Sequence, residues 1–184
     1  MIVGVLGGTF DPPHLGHLAV ARNVLKSGLV ATVWFIPCLA HRFGKQPTGF
    51  EHRIAMCQLL VRDEEGMAVS NVEASLENPG RTLDLIVTLQ AIHHTDSFRL
   101  VAGSDIYHER HHWHRYDEIE KLAPPIYVER KGIERIPIST LAAPPEISSS
   151  DLRTALARGE RPTNEITQDV LDYIETHGLY REMQ

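Results

Sequence analysis

The chain has 184 residues, 42% of them hydrophobic and 23% charged, with a formal net charge of -6. That length suits one domain with a core that needs no disulfide or structural metal. The acidic balance argues against a general nucleic-acid binder, which needs a basic face for phosphates. Two cysteines, Cys38 and Cys57, are too few for a disulfide framework or a four-cysteine zinc site, and read as small buried hydrophobes in a reducing cytoplasm. The N-terminus lacks the pattern of a secretory leader, and no apolar run reaches the length of about 20 residues that spans a bilayer. The expectation is a cytoplasmic protein away from membranes.

Ile2 to Leu6 is a continuous apolar run, as expected of a parallel strand buried on both faces. It leads into Gly7-Gly8-Thr9-Phe10-Asp11-Pro12-Pro13-His14-Leu15-Gly16-His17, a glycine and proline turn opening a helix. Leu15, Leu18, Ala21, Val24 and Leu25 hold the helical period until Gly28, a suitable left-handed cap. Thr32 to Pro37 is the next strand, completing a β-α-β unit. Cys38 to Gly49 reads as a loop, Phe50 to Val61 as a helix, Met67 to Val72 as a strand and Thr82 to His93 as a helix. Phe98 to Ala102 is a further buried strand ending at Gly103-Ser104-Asp105, followed by a polar helical region, Ile106 to Leu122. Strands are expected over Pro125 to Glu129 and near Ile138 to Leu141, and closing helices over Ser150 to Arg158 and Gln168 to Thr176. This alternation predicts a single α/β domain over residues 1–184, a doubly wound and mostly parallel sheet with C-terminal helices. Ligands then belong at the C-terminal strand ends, near the switch point.

His14 and His17 are spaced to share a helical face, and Gly16 removes a side chain that would crowd a ligand. A helix N-terminus favours an anion, and imidazoles can donate to phosphate oxygens. The reading is a phosphate clamp; a third metal ligand at a convincing spacing is lacking. A second constellation is Ser148-Ser149-Ser150-Asp151-Leu152-Arg153, a capped helix start with a cation in its first turn. The dipole disfavours that cation unless an anion binds there too.

The turn resembles the signature of the nucleotidyltransferase superfamily that carries a His-x-Gly-His motif. In its fuller form, Gly-Gly-Thr-Phe-Asp-Pro-Pro-His-Leu-Gly-His, it is similar to the bacterial nicotinate-nucleotide adenylyltransferases. Ile147 to Arg153 resembles that family's Ile-Ser-Ser-(Thr/Ser)-x-Ile-Arg, with Leu152 departing from it. The resemblance covers nearly the whole chain and implies a Rossmann-like nucleotidyltransferase fold. It implies adenylyl transfer from ATP, with Mg²⁺, to a pyridine mononucleotide, releasing pyrophosphate. His14, His17, Arg153 and Lys45 would surround the triphosphate. Gly7, Gly8, Thr9, Phe10, Gly16, Gly103, Asp105 and Ser149 would bind ATP, while Thr82 and Trp113 would meet the acceptor, the tryptophan by stacking. Thr82 reads equally as a helix N-cap.

The departure is the loop Cys38-Leu39-Ala40-His41-Arg42-Phe43-Gly44-Lys45, where Lys45 or Arg42 could supply the cation. Arg53 matches a family arginine but reads equally as a solvated surface charge. The run His108, His111, His112 and His114 could bind a transition metal, although such runs do so without biological purpose. The terminal segment through Gly178-Leu179-Tyr180 resembles the family's ending and is expected to pack without chemistry. The alternatives are transfer to another phosphate acceptor, such as phosphopantetheine, and a nucleotide-binding regulator without catalysis. The sequence leaves nicotinate against nicotinamide, and a possible homo-oligomer, open.

Overall fold

The computed structural model describes residues 1–39 and 47–181. Its six strands are β1 (Ile2–Gly8), β2 (Thr32–Pro37), β3 (Met67–Val69), β4 (Ser97–Gly103), β5 (Ile126–Val128) and β6 (Thr140–Leu141). They form one sheet in the order β3-β2-β1-β4-β5-β6, every pairing parallel. Chain direction across the sheet reverses at β1, between β2 and β4, which places the switch point at the end of the first strand.

The helices are α1 (Leu15–Lys26), α2 (Phe50–Val61), α3 (Thr82–Ile92), α4 (Ser104–Glu109), α5 (Tyr116–Leu122), α6 (Ser149–Ala157) and α7 (Gln168–Thr176). Alternation along β1 assigns them to two layers. Leu6 faces a core shared with Leu18 and Val24 of α1, Met56 and Leu60 of α2, Leu152 of α6 and Val170 and Ile174 of α7. Val3 and Val5 face the opposite core, with Leu83, Ile86 and Leu89 of α3 and Ile119 of α5. At about 25 cal/mol per Å² of apolar surface removed from water, these two layers are the main force holding the strand ends in place. Among the described residues, no helix is long and apolar enough to cross a membrane.

Several elements are shorter than the sequence predicts: β5 and β6 each lose residues at their ends, and two departures are larger. The strand at Met67 stops at Val69, and a 3₁₀ turn follows over Val72–Ser75. Glu73, within that turn, accepts hydrogen bonds from backbone N–H groups of other segments on its carboxylate. The helical region after β4 is not continuous: α4 runs into a 3₁₀ turn, Arg110–His112, and breaks at Trp113. Arg115 takes a left-handed φ of 53° before α5 begins.

Candidate active site at the end of the first strand

The turn leaving β1 carries the histidines, and its geometry departs from one helical face. His14 is the extended N-cap of α1, at φ -150° and ψ 172°, and His17 is the third residue of the helix. This brings the two rings into a stack with centroids 3.7 Å apart. Nδ1 of His17 accepts from the backbone N–H of His14 at 3.2 Å, so the proton of a neutral His17 ring sits on Nε2, which is then the ring's donor. Nδ1 of His14 is buried without a partner, packed over Gly16, where a Cβ would come within 2.9 Å of it. Gly16 is thus needed for its missing side chain. Burial lowers the His14 pKa to about 4. Burial also holds His17 well below its usual value, helped by His14 and by the Arg130 guanidinium.

Arg130 is a residue that the sequence reading passed over. It follows β5, is exposed, and pairs with Asp105, Nε to Oδ1 at 3.1 Å. That carboxylate oxygen is buried and receives no aligned hydrogen bond, so the contact is Coulombic and easily released. Gly103 makes room for the pair: a Cβ there would collide with Oδ1 of Asp105 and lie 2.6 Å from Nε of Arg130. The strand-end rule that picked out Gly103 and Asp105 after β4 applies equally to Arg130 after β5. Beside them lies an open cavity of about 700 Å³, lined by Ser104, Arg130, Gly132, Thr140 and Pro144 among others.

From the far end of the chain, α6 reaches the same turn. Ser148 is its N-cap, accepting from the Asp151 N–H, and Ser149 Oγ donates to the Pro12 carbonyl at 3.0 Å. Arg153 is the fifth residue of α6, one turn in and not in its first turn, so the dipole conflict is milder than the sequence suggests. Its Nη1 donates to the Asp11 carbonyl at 2.6 Å. The turn therefore gathers His14, His17, Ser149 and Arg153, with Arg130 and Asp105 beside them.

Phe10 has a buried side chain, at φ 51°, edge-on to His17 and packed over Gly8. It plugs the core under the turn, so its side chain does not face a ligand as the sequence reading expects. Arg53 is not a surface charge. It is 1% exposed and donates to the carbonyls of Thr9, Cys38 and Thr48 at 2.7 to 2.8 Å. It stitches the turn to the loop that follows β2. Lys45 and Arg42 lie outside the described residues.

On the second layer, Thr82 is the first residue of α3 and the cap position is Arg81, which makes no side-chain cap hydrogen bond. The first-turn amides of α3 are therefore without a capping side chain. Trp113 is half-buried, edge-on to Tyr116, and packs against the same core as Leu83. Between these parts sits Glu73, 3% exposed, one of whose oxygens accepts both the Leu39 N–H (3.3 Å) and the Gly80 N–H (2.8 Å). Burial raises its pKa. In the sequence it is only a charge in an apolar segment. His111 and His112 lie ring to ring, but among the described residues no three His, Cys, Asp or Glu side chains converge on a metal position.

This strand-turn-helix, with its paired imidazoles at the switch point of a parallel sheet, falls within a match over residues 5–155 to the cytidylyltransferase-like family. The chain belongs to that family. Relatives within it include proteins named "Probable nicotinate-nucleotide adenylyltransferase" from Anaeromyxobacter dehalogenans and Myxococcus xanthus. The first is 40% identical over 97% of this chain and 96% of its own length, and the second 38% identical over 97% and 94%. The Geobacillus kaustophilus protein of the same name is 35% identical over 97% of this chain and 85% of its own. The fold is also that of the Plasmodium falciparum nicotinic acid mononucleotide adenylyltransferase solved in complex with NaAD. That structure has a TM-score of 0.79 at 21% identity, covering 97% of each chain.

Proposed function

We propose that this chain, acting as one catalytic unit, joins ATP to nicotinate mononucleotide, giving the dinucleotide and pyrophosphate. The observation that carries the reading is the stacked imidazole pair at the N-terminus of α1, with Arg130 and Arg153 converging on it from two remote segments. The names of the relatives support the same reaction, as does the dinucleotide bound in the Plasmodium structure.

A phosphate oxygen of the mononucleotide attacks the α-phosphorus in line. The bond from that phosphorus to the bridging oxygen breaks, and pyrophosphate leaves with the electron pair. The attacking oxygen is already anionic, so neither a covalent enzyme intermediate nor a general base is required. Catalysis is positioning and charge stabilisation. His14 and His17 are neutral in the free protein at pH 7, and the approach of a polyphosphate raises both pKa values, so the rings gain positive character as charge develops. Arg130 and Arg153 move from their present partners to phosphate oxygens, and Lys45 or Arg42 adds a cation from the loop. Ser149 holds the turn, and Gly103 and Asp105 face the nucleoside, whose base occupies the cavity beside Ser104. Mg²⁺ fits as an ion carried by ATP: Asp11 is engaged by other groups, and a triphosphate supplies its own oxygens. Bound there, it would draw negative charge from the phosphates.

Nicotinate is favoured over nicotinamide because the first-turn amides of α3, at Thr82, have no capping side chain and suit a carboxylate. Trp113 offers its face to the pyridine. Pyrophosphate release with ATP and a panel of mononucleotides tests the reading. Nicotinate mononucleotide should exceed nicotinamide mononucleotide at least about tenfold in kcat/KM, the scale of one well-placed charged hydrogen bond. Release with phosphopantetheine alone, or with no acceptor, would overturn it.

A further inference from the structure

Asp11 is 6% exposed, and both ends of the residue are used. Its backbone carbonyl accepts from Arg153. Its Oδ2 accepts from the Thr48 N–H at 3.3 Å, and its Oδ1 accepts from the Tyr180 hydroxyl at 2.7 Å, across 169 positions of sequence. Arriving there takes two unusual backbone steps. After α7, Gly178 turns with φ 61°, the Leu179 N–H donates back to the Ile174 carbonyl, and Tyr180 itself has φ 62°. A tyrosine holds a left-handed conformation only where its surroundings over-determine it.

We propose that Tyr180 is a positioning residue for the reaction, holding the histidine turn through Asp11. The turn needs an outside tie, because Phe10 is itself a non-glycine residue at positive φ and a bound phosphate would draw Arg153 away from the Asp11 carbonyl. Tyr180 holds the Asp11 carboxylate and Arg153 its carbonyl, so the Tyr180 bond survives that exchange. Burial and the Asp11 charge push the phenol pKa up, keeping the hydroxyl protonated as a donor at any physiological pH. The bond is neutral donor to carboxylate, the stronger class of hydrogen bond. A residue serving only to pack would need the ring alone, and the hydroxyl would be free to point at solvent.

Tyr180→Phe keeps the ring and removes the tie. Tyr173→Phe is the control: Tyr173 lies on α7, bonds His52 at 2.9 Å and, among the described residues, has no hydrogen bond to the turn. The inference rests on the proposed reaction for its kinetic arm, so a second arm reads hydrogen exchange at the amides of residues 9–17 without substrate. In Tyr180→Phe, kcat should fall about tenfold with both KM values within about twofold, as a small misplacement of the clamp requires, and exchange in the turn should quicken. Tyr173→Phe should match the wild type in both. An active wild type with unchanged kcat and exchange in Tyr180→Phe overturns the tie, as do equal losses in the two variants. If the wild type releases no pyrophosphate, the reaction is wrong, and quickened exchange confined to Tyr180→Phe still upholds the tie.

Discussion

Around the histidine turn, Arg53 from α2, Ser149 and Arg153 from α6, Thr48 and Tyr180 all reach in with hydrogen bonds. Around the start of α3 the picture differs: among the described residues, the polar link from the β2 loop to this side runs through Glu73, with Trp113 held by packing. The difference follows the chemistry each side meets. On the proposed reaction, charge developing at phosphorus is stabilised best when the backbone carrying its donors is already in place, so the histidine turn is fixed from many directions even though Arg130 and Arg153 change partners. A flat ring that stacks, as the proposed acceptor would on Trp113, tolerates looser walls, and there one carboxylate links the segments.

The largest test of this contrast is His17→Ala, which should lower kcat by roughly 10²–10³-fold, the usual effect of losing a preorganised donor. Steady-state pyrophosphate release measures it, and unchanged turnover would remove the phosphate side's claim to rigidity. Next, Glu73→Ala should raise KM for nicotinate mononucleotide about tenfold, on the scale of two lost hydrogen bonds, with KM for ATP within about twofold. Glu73→Gln should recover most of that loss, because both bonds land on a single oxygen, which an amide carbonyl can supply. An equal rise in both KM values would show that Glu73 supports the whole sheet edge and not the acceptor side.

The smallest effect is on stability. His14 has a pKa of about 4 in the folded chain against 6.5 unfolded, so between those values the unfolded state binds more protons. The contribution of neutral His14 is complete above pH 6.5 and is lost as pH falls toward 4. At pH 5 the loss is about 2 kcal/mol, or roughly 4–8 °C in Tm for a chain of this size. His17 acts in the same direction. Thermal melts at pH 7.5 and 5 should show the drop, and His14→Gln should reduce it, leaving the part due to His17.

The sheet and most helices were legible because hydrophobic period and turn residues are local. α7 begins and ends where the period predicts, and Gly28 turns with φ 71° after α1. The histidine turn was legible as a motif but not as a geometry. Spacing put both rings on one face, while capping made His14 the residue before the helix. Arg53, Arg130, Glu73 and Tyr180 were hidden for a common reason. Each gains its meaning from partners far off in sequence or on another strand end, and a charged or hydroxylated side chain reads the same in a sequence whether it meets water or a buried carbonyl.

Gly103 is usually the sort of residue explained by backbone freedom, yet here its lack of a side chain is what lets Asp105 and Arg130 meet. A single methyl group at that position would act as a wedge, parting two opposite charges without deleting either. The electric field over His17 depends on where Arg130 rests, so it can be retuned from an uncharged position.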